Sequence, residues 1–176
     1  MRNEKIYLSV LTAIAVLLGI FENMIPAFFA FAPGAKIGLP NLIIIIAMFT
    51  LNWRQVWTIQ ILRLGFTALF TGFSVFLYSF AGAVLSLLAM YVVKQFGPRL
   101  ISMIGISVVG GFFHNLGQLL VASLIAQSPQ VLYYLPVLTI FGLLAGLAIG
   151  VGANQMILRV ENINRLFNNK NKEWLS

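Results

Sequence analysis

Cysteine and aspartate are both absent from this chain of 176 residues. Without cysteine there are no disulfides, no thiolate metal sites and no cysteine nucleophile. Without aspartate there is no paired-aspartate magnesium site, the usual anchor for diphosphate chemistry. A single histidine, His114, excludes a multi-histidine metal centre, and no cofactor is expected. The chain carries no P-loop, so any ATP use has to come from partners. Charge is scarce too: 9% of the residues are charged, against about a quarter in a soluble domain.

What fills the chain instead is apolar, 60% of it. The apolar residues come in long runs rather than amphipathic stripes, and runs near 20 residues read as membrane spans. The expected fold is all-α: a polytopic membrane protein, a bundle of about six transmembrane helices with an apolar loop between the first two. The spans are placed at Lys5 to Ile25, Pro40 to Leu51, Gln55 to Phe70, Phe73 to Val93, Leu100 to Ala126 and Leu135 to Leu158. Short connections rich in Gly, Pro and Asn separate them. One integral membrane domain takes up residues 1–176, with 159–176 as a partly frayed cytoplasmic tail. The first apolar run lacks a small-x-small cleavage site, so no cleavable signal peptide is expected.

The formal net charge of +7 comes from 11 Lys and Arg against four Glu. In a soluble chain that balance would suggest nucleic acid, but here the basic residues gather in loops and tails and read as topological signals. With a cytoplasmic N-terminus, Arg2, Lys5, Arg54, Lys94, Arg99, Arg159, Arg165, Lys170 and Lys172 all fall inside. Lys36 alone falls outside, and Arg63 lies within a span. The expectation is a multi-pass protein of the cell membrane with both termini cytoplasmic and no nucleic-acid partner.

Polar residues inside spans need a reason. A central Arg costs roughly 2.5–3.5 kcal/mol on insertion scales, so Arg63 faces the bundle interior or a polar cavity. Gln60 and Thr67 share its helical face. It serves either as an ion-pair partner of Glu22 or as a ligand for an anionic or polar molecule. His114, Asn115 and Gln118 form a second group in the fifth span, beside Gly110 and Gly111. His114 and Gln118 share a face and are read either as interhelical hydrogen-bonding groups or as cavity lining.

The segment Pro33-Gly34-Ala35-Lys36-Ile37-Gly38-Leu39-Pro40-Asn41 follows an apolar stretch that includes Phe28, Phe29 and Phe31. Two prolines and two glycines exclude a regular helix through it, yet the stretch is too apolar for an ordinary exposed loop. It reads as a loop folded over the outer mouth of the bundle, with Pro40 in the first turn of the next helix. Lys36, Arg63 and Glu22 together leave one positive charge in excess, which points to a ligand with a negative group and an apolar body. Small residues also recur at helical spacing. Gly142, Gly146 and Gly150 share a face of the last span, and Ser9 and Ala13 share a face of the first. Such faces let helices approach closely, either within the bundle or against a docking partner.

The nonapeptide from Pro33 to Asn41 resembles the signature of the Gx transporter family, whose members are labelled heptaprenyl diphosphate synthase component I. That family is grouped with the substrate-binding S components of energy-coupling factor (ECF) transporters. The resemblance covers nearly the whole chain. It implies a small subunit that captures a substrate from outside, docks on a membrane coupling protein bound to two ATPases, and topples to release the substrate inward. It implies a substrate site toward the outer side, where Lys36, Asn41, Arg63 and His114 fall, with Glu22 and Gln118 beside them. Docking in S components uses an alanine-rich four-residue repeat on the first helix, which Ser9 and Ala13 match in part. The substrate class implied is an isoprenoid, quinone or flavin-related precursor. The synthase label implies a second role, as a membrane subunit of prenyl diphosphate or quinone synthesis. No enzymatic activity of the chain's own is expected.

Overall fold

A computed structural model describes residues 2–24, 38–171 and 174. Among the described residues seven α-helices follow one another: α1 (Arg2–Met24), α2 (Asn41–Thr50), α3 (Trp53–Ala68), α4 (Phe73–Lys94), α5 (Met103–Ile125), α6 (Leu135–Arg159) and α7 (Glu161–Asn171), with a 3-10 turn over Pro129–Tyr134 before α6. Among the described residues there is no strand. The chain is an all-helical membrane protein. Among the described residues four stretches are long and apolar enough to cross a bilayer: Glu4–Met24, Phe73–Lys94, Met103–Ile125 and Pro129–Arg159. Large apolar side chains on their outer faces, such as Leu17, Phe21, Ile140 and Leu144, are exposed, a surface that lipid covers and water would not.

The other two expected spans are helices of a different kind. α3 has 16 residues. α2 has 10, about 15 Å at the α-helical rise, or half the hydrocarbon thickness of a bilayer. Nine of those residues are buried, with Ile43, Ile44, Ile45, Ile46, Ala47 and Phe49 wholly or almost wholly enclosed. A helix that is apolar all round belongs in a core, and α2 is the core of this bundle. It packs against α1, α3, α6 and α7.

Glycines set the closest approaches. A Cβ on Gly111 would lie 2.1 Å from the Gly142 carbonyl oxygen, and one on Gly146 would lie 2.6 Å from that of Ser107. A Cβ on Gly117 would lie 2.7 Å from the Ala81 carbonyl oxygen. α5 therefore touches α6 on one side and α4 on the other nearly backbone to backbone. Gly142 also makes room for Asn115, whose Nδ2 donates to the Leu138 carbonyl at 2.8 Å. Of the two readings of Gly142 and Gly146, packing within the bundle is the one observed.

The residues after Arg159 form a docked helix where a frayed tail was expected. Ile163 and Phe167 are buried, four residues apart on one face of α7. Phe167 and Trp174 pack on Phe49 at ring-centroid distances of 5.8 and 5.0 Å. The last carbonyls of α2, which no intrahelical N–H can reach, find donors here. Lys94 Nζ donates to Met48 O at 2.7 Å, and Asn171 Nδ2 donates to Phe49 O. The Lys94 charge also suits the negative end of the helix dipole.

These contacts gather the basic residues at one end. Gln55 at the start of α3 donates to Glu4 at the start of α1, at 3.0 Å. The Tyr7 hydroxyl meets Thr50 at the end of α2. Lys94 closes α4 beside that same end of α2, and α7 follows α6 there. Lys5, Arg54, Lys94, Arg99, Arg159 and Arg165 therefore share one end of the bundle. α1 and α3 finish, and α4 begins, at the other.

Candidate functional site: a polar cleft away from the basic end

At the far end, α1, α3, α4 and α5 enclose a cleft lined by Gly19, Glu22, Arg63, Thr67, Ser79 and His114, among others. Its cavity volume is about 20 Å³, roughly room for one water molecule.

α1 contributes Glu22, which is buried. Its carboxylate accepts hydrogen bonds from the amides of Gly38 and Leu39, the two residues before Pro40. Gly38 has φ +82°, a left-handed conformation that costs glycine little. Its carbonyl accepts from Asn41 N at 2.8 Å and so starts α2. Pro40 precedes the first residue of α2 and Asn41 is buried beside the turn. Glu22 thus ties the end of α1 to the beginning of the core helix.

α3 contributes a connected row. Thr67 Oγ1 donates to the Arg63 carbonyl, Arg63 Nε donates to Gln60 Oε1 at 2.9 Å, and Gln60 Nε2 donates to the Ala83 carbonyl of α4 at 2.8 Å. The shared face expected for Gln60, Arg63 and Thr67 is present, and all three are buried. Of the alternatives for Arg63, direct bonding to Glu22 is not how the guanidinium is held. Nε goes to Gln60, the Glu22 carboxylate goes to the turn amides, and both side chains line the same cleft. Arg63 Nη2 is buried with no hydrogen-bond partner.

α5 contributes His114 to the lining, and Gln118 lies one helical turn further along the same helix, packed on α4. Gly82 of α4 leaves the space they use: a Cβ there would lie 2.8 Å from Gln118 Cγ and 3.2 Å from His114 Nδ1. The other edge of the imidazole approaches the turn, with Cδ2 3.7 Å from a Cβ placed on Gly38. His114 therefore sits among the α2 turn, α4 and the cleft. Gln118 is 1% exposed, and neither end of its amide has a hydrogen-bond partner. Ser86 Oγ, buried beside Gly110, has none either.

Glu22, Asn41, Arg63 and His114 converge on the cleft and the adjoining turn, and Gln118 lies one helical turn from His114. Lys36, Phe28, Phe29, Phe31 and the apolar first loop lie outside the described residues. Among the described residues the charges at the site are Arg63 and Glu22, which balance. Ser9 and Ala13 sit on the exposed face of α1, away from Ala15 and Gly19, which pack inward. Sequence reasoning missed Ser79, which lines the cleft, and Ser86, buried about two turns further along α4 beside Gly110. Their signal was there: Ser79, Gly82 and Ser86 fall at i, i+3 and i+7, one face of α4, inside an apolar run.

The family model described as heptaprenyl diphosphate synthase component I matches residues 11–156. The chain belongs to that family. No curated protein and no solved structure matches it. The matched stretch takes in the whole polar cleft, both glycine seams of α5 and the core helix α2. α7, which closes the core, lies beyond the match.

Proposed function

We propose that this component I protein is the substrate-binding S subunit of an ECF-type ABC transporter. It captures a small anionic or amphipathic molecule from outside the cell membrane. The reading is supported by the position of the cleft: Arg63, buried and with Nη2 unpaired, lies away from the end that collects the basic residues. If the basic end is cytoplasmic by the positive-inside rule, both termini are inside and the cleft opens outward, as capture requires. A ligand class of isoprenoid, quinone or flavin-related precursors is compatible with a polar site beside lipid-facing apolar helices. A membrane coupling protein and two ATPase subunits supply the energy, and the chain itself catalyses nothing. The exposed Ser9 and Ala13 face of α1 is the surface offered to the coupling protein.

Native mass spectrometry of the gently purified protein, with uptake measured in vesicles, tests this reading. Arg63→Gln is expected to lose ligand at least tenfold while melting within a few degrees of wild type. Arg63→Lys is expected to recover part of the loss, because Lys lacks the planar fork. If Arg63→Gln leaves uptake unchanged, or simply unfolds the protein, Arg63 has a structural role and the reading fails. The family description favours a second reading, a non-catalytic membrane subunit of heptaprenyl diphosphate or quinone synthesis. Stoichiometric copurification with a soluble prenyltransferase, and with no ATPase, would favour it.

A further inference from the structure

We infer that the head group this site accepts carries a single negative charge, as a carboxylate does, in preference to a phosphate or diphosphate. The inference rests on the substrate-binding reading above and narrows it to monocarboxylic acids with an apolar body.

Three observations carry it, all on residues that line the cleft or hold those that do. The first is how Arg63 is fixed. Its Nε donates to Gln60 Oε1, and Gln60 Nε2 is anchored in turn on the Ala83 carbonyl of α4. The guanidinium is therefore set in direction before any ligand arrives, which lowers the ordering cost of binding. Arg63 is 5% exposed and its Nη2 has no hydrogen-bond partner. A buried cationic donor left open is costly, and a carboxylate is a group whose plane the guanidinium fork matches.

The second observation is charge. Glu22 lines the same cleft, and Arg63 is the one Lys or Arg among the described residues that do so. The Glu22 carboxylate is answered by the Gly38 and Leu39 amides. One negative charge brought to Arg63 therefore finds a cation. A second or third finds none, and would stand beside Glu22 in a site shielded from water.

The third observation is the direction of the hydrogen bonds along α3 and the turn after it. Thr67 and Thr71 follow Arg63 at intervals of four residues and line the cleft. Both hydroxyl protons are spent on backbone carbonyls, that of Thr67 on Arg63 O and that of Thr71 on Thr67 O. Toward a ligand these hydroxyls present oxygens that accept. The terminal oxygens of a phosphate ester would meet them acceptor to acceptor, whereas the two oxygens of a carboxylate are taken up by the Arg63 fork. The small volume of the cleft, about 20 Å³, also favours a flat head group over a tetrahedral one.

The test follows binding by native mass spectrometry, and folding by thermal melting, for the full chain in nanodiscs. Three probes share one apolar body: 4-octylbenzoate, its uncharged isostere 4-octylbenzamide, and 4-octylphenyl phosphate. At about pH 8 the phosphate, with a second pKa of about 6, carries two charges. Wild type is expected to bind the benzoate at least tenfold more tightly than either of the others. Glu22→Gln keeps a carbonyl oxygen for the Gly38 and Leu39 amides and removes the neighbouring negative charge. It is expected to raise phosphate affinity relative to benzoate at least tenfold. Arg63→Lys, which keeps the charge and loses the fork, is expected to weaken the benzoate and narrow its lead over the amide. Amide bound as tightly as benzoate, or phosphate bound most tightly, would overturn the inference and leave the substrate-binding reading standing. So would a benzoate-to-phosphate ratio that stays the same in a folded Glu22→Gln variant. If Glu22→Gln does not fold, the wild-type order of the three probes decides by itself. Binding of none of the probes, together with no copurifying ligand, would remove both.

Discussion

The α5–α6 seam allows a prediction with its magnitude worked from distances. An alanine methyl at Gly111 would stand 2.1 Å from the Gly142 carbonyl oxygen, 3.0 Å from its carbonyl carbon and 3.1 Å from Gly146 Cα. All three neighbours are backbone, so no rotamer change relieves the clash, and the two helices have to part by about 1 Å to restore ordinary contact. A gap of that size forfeits roughly a quarter to a half of the dispersion attraction across it. The loss extends along the seam to the Gly146 and Gly150 contacts. Overpacking of this kind costs about 1–3 kcal/mol, and a backbone obstacle places it at the upper end. Replacing a helical glycine returns about 1 kcal/mol. The net loss is about 2 kcal/mol, roughly a 30-fold shift in the unfolding equilibrium. Gly65 is the control: it lies in α3 with nothing within 4 Å of an added Cβ, so Gly65→Ala keeps only the gain, about 0.5–1 kcal/mol. SDS titration in mixed micelles, followed by circular dichroism, measures both variants. If Gly111→Ala proves as stable as Gly65→Ala, the glycine seam is not what fixes the distance between α5 and α6.

Two further outcomes are expected. Phe167→Ala empties a fully enclosed position between α7 and Phe49, and is expected to cost about 3–5 kcal/mol. The loss should show as a lower melting temperature and as proteolysis near residue 160 in the folded protein; resistance equal to wild type would mean that α7 does not hold the core. Since the chain has no cysteine, single cysteines at Asn3, Ser128 and Asn169 give unambiguous labelling. Asn3 and Asn169 are expected to react only from the cytoplasmic side and Ser128 only from outside, and the reverse pattern would invert the orientation.

The parts of this fold that were legible in the sequence are those that lipid constrains. Apolar runs of full span length could only be membrane helices, and Arg63, His114 and Gln118 stood out because hydrocarbon penalises them. Arg63 and His114 line one cleft, as polar side chains in a bundle with few interior places to go are expected to do. The glycine repeat of α6 announced close packing, but spacing alone does not say which neighbour does the packing; only the fold shows that α5 takes that face. α2 was harder to read. An apolar helix in a membrane protein is the same string whether it meets lipid or other helices, and its length of 10 residues was the one sign that it is a core element. α7 was hidden for the opposite reason. Its two anchoring side chains, Ile163 and Phe167, are scattered among Asn, Arg and Glu in a segment whose composition reads as a solvated tail. Ser79 and Ser86 were overlooked because serine is common in membrane helices, and only their register with Gly82 set them apart.

The clasp of α7 on α2 imposes an order on biosynthesis. Asn171, which donates to the Phe49 carbonyl, lies 122 residues further along the chain. At about 5–20 residues per second, the core helix waits on the order of ten seconds after its own synthesis before that donor exists. Through this interval α2 is too short to span a bilayer by itself, and the carbonyls at its end have neither Asn171 nor Lys94 for part of the time. The bundle is therefore completed from its C-terminal side: the spans that follow α2 have to be made and gathered round it first, and α7 closes the core once they are in place.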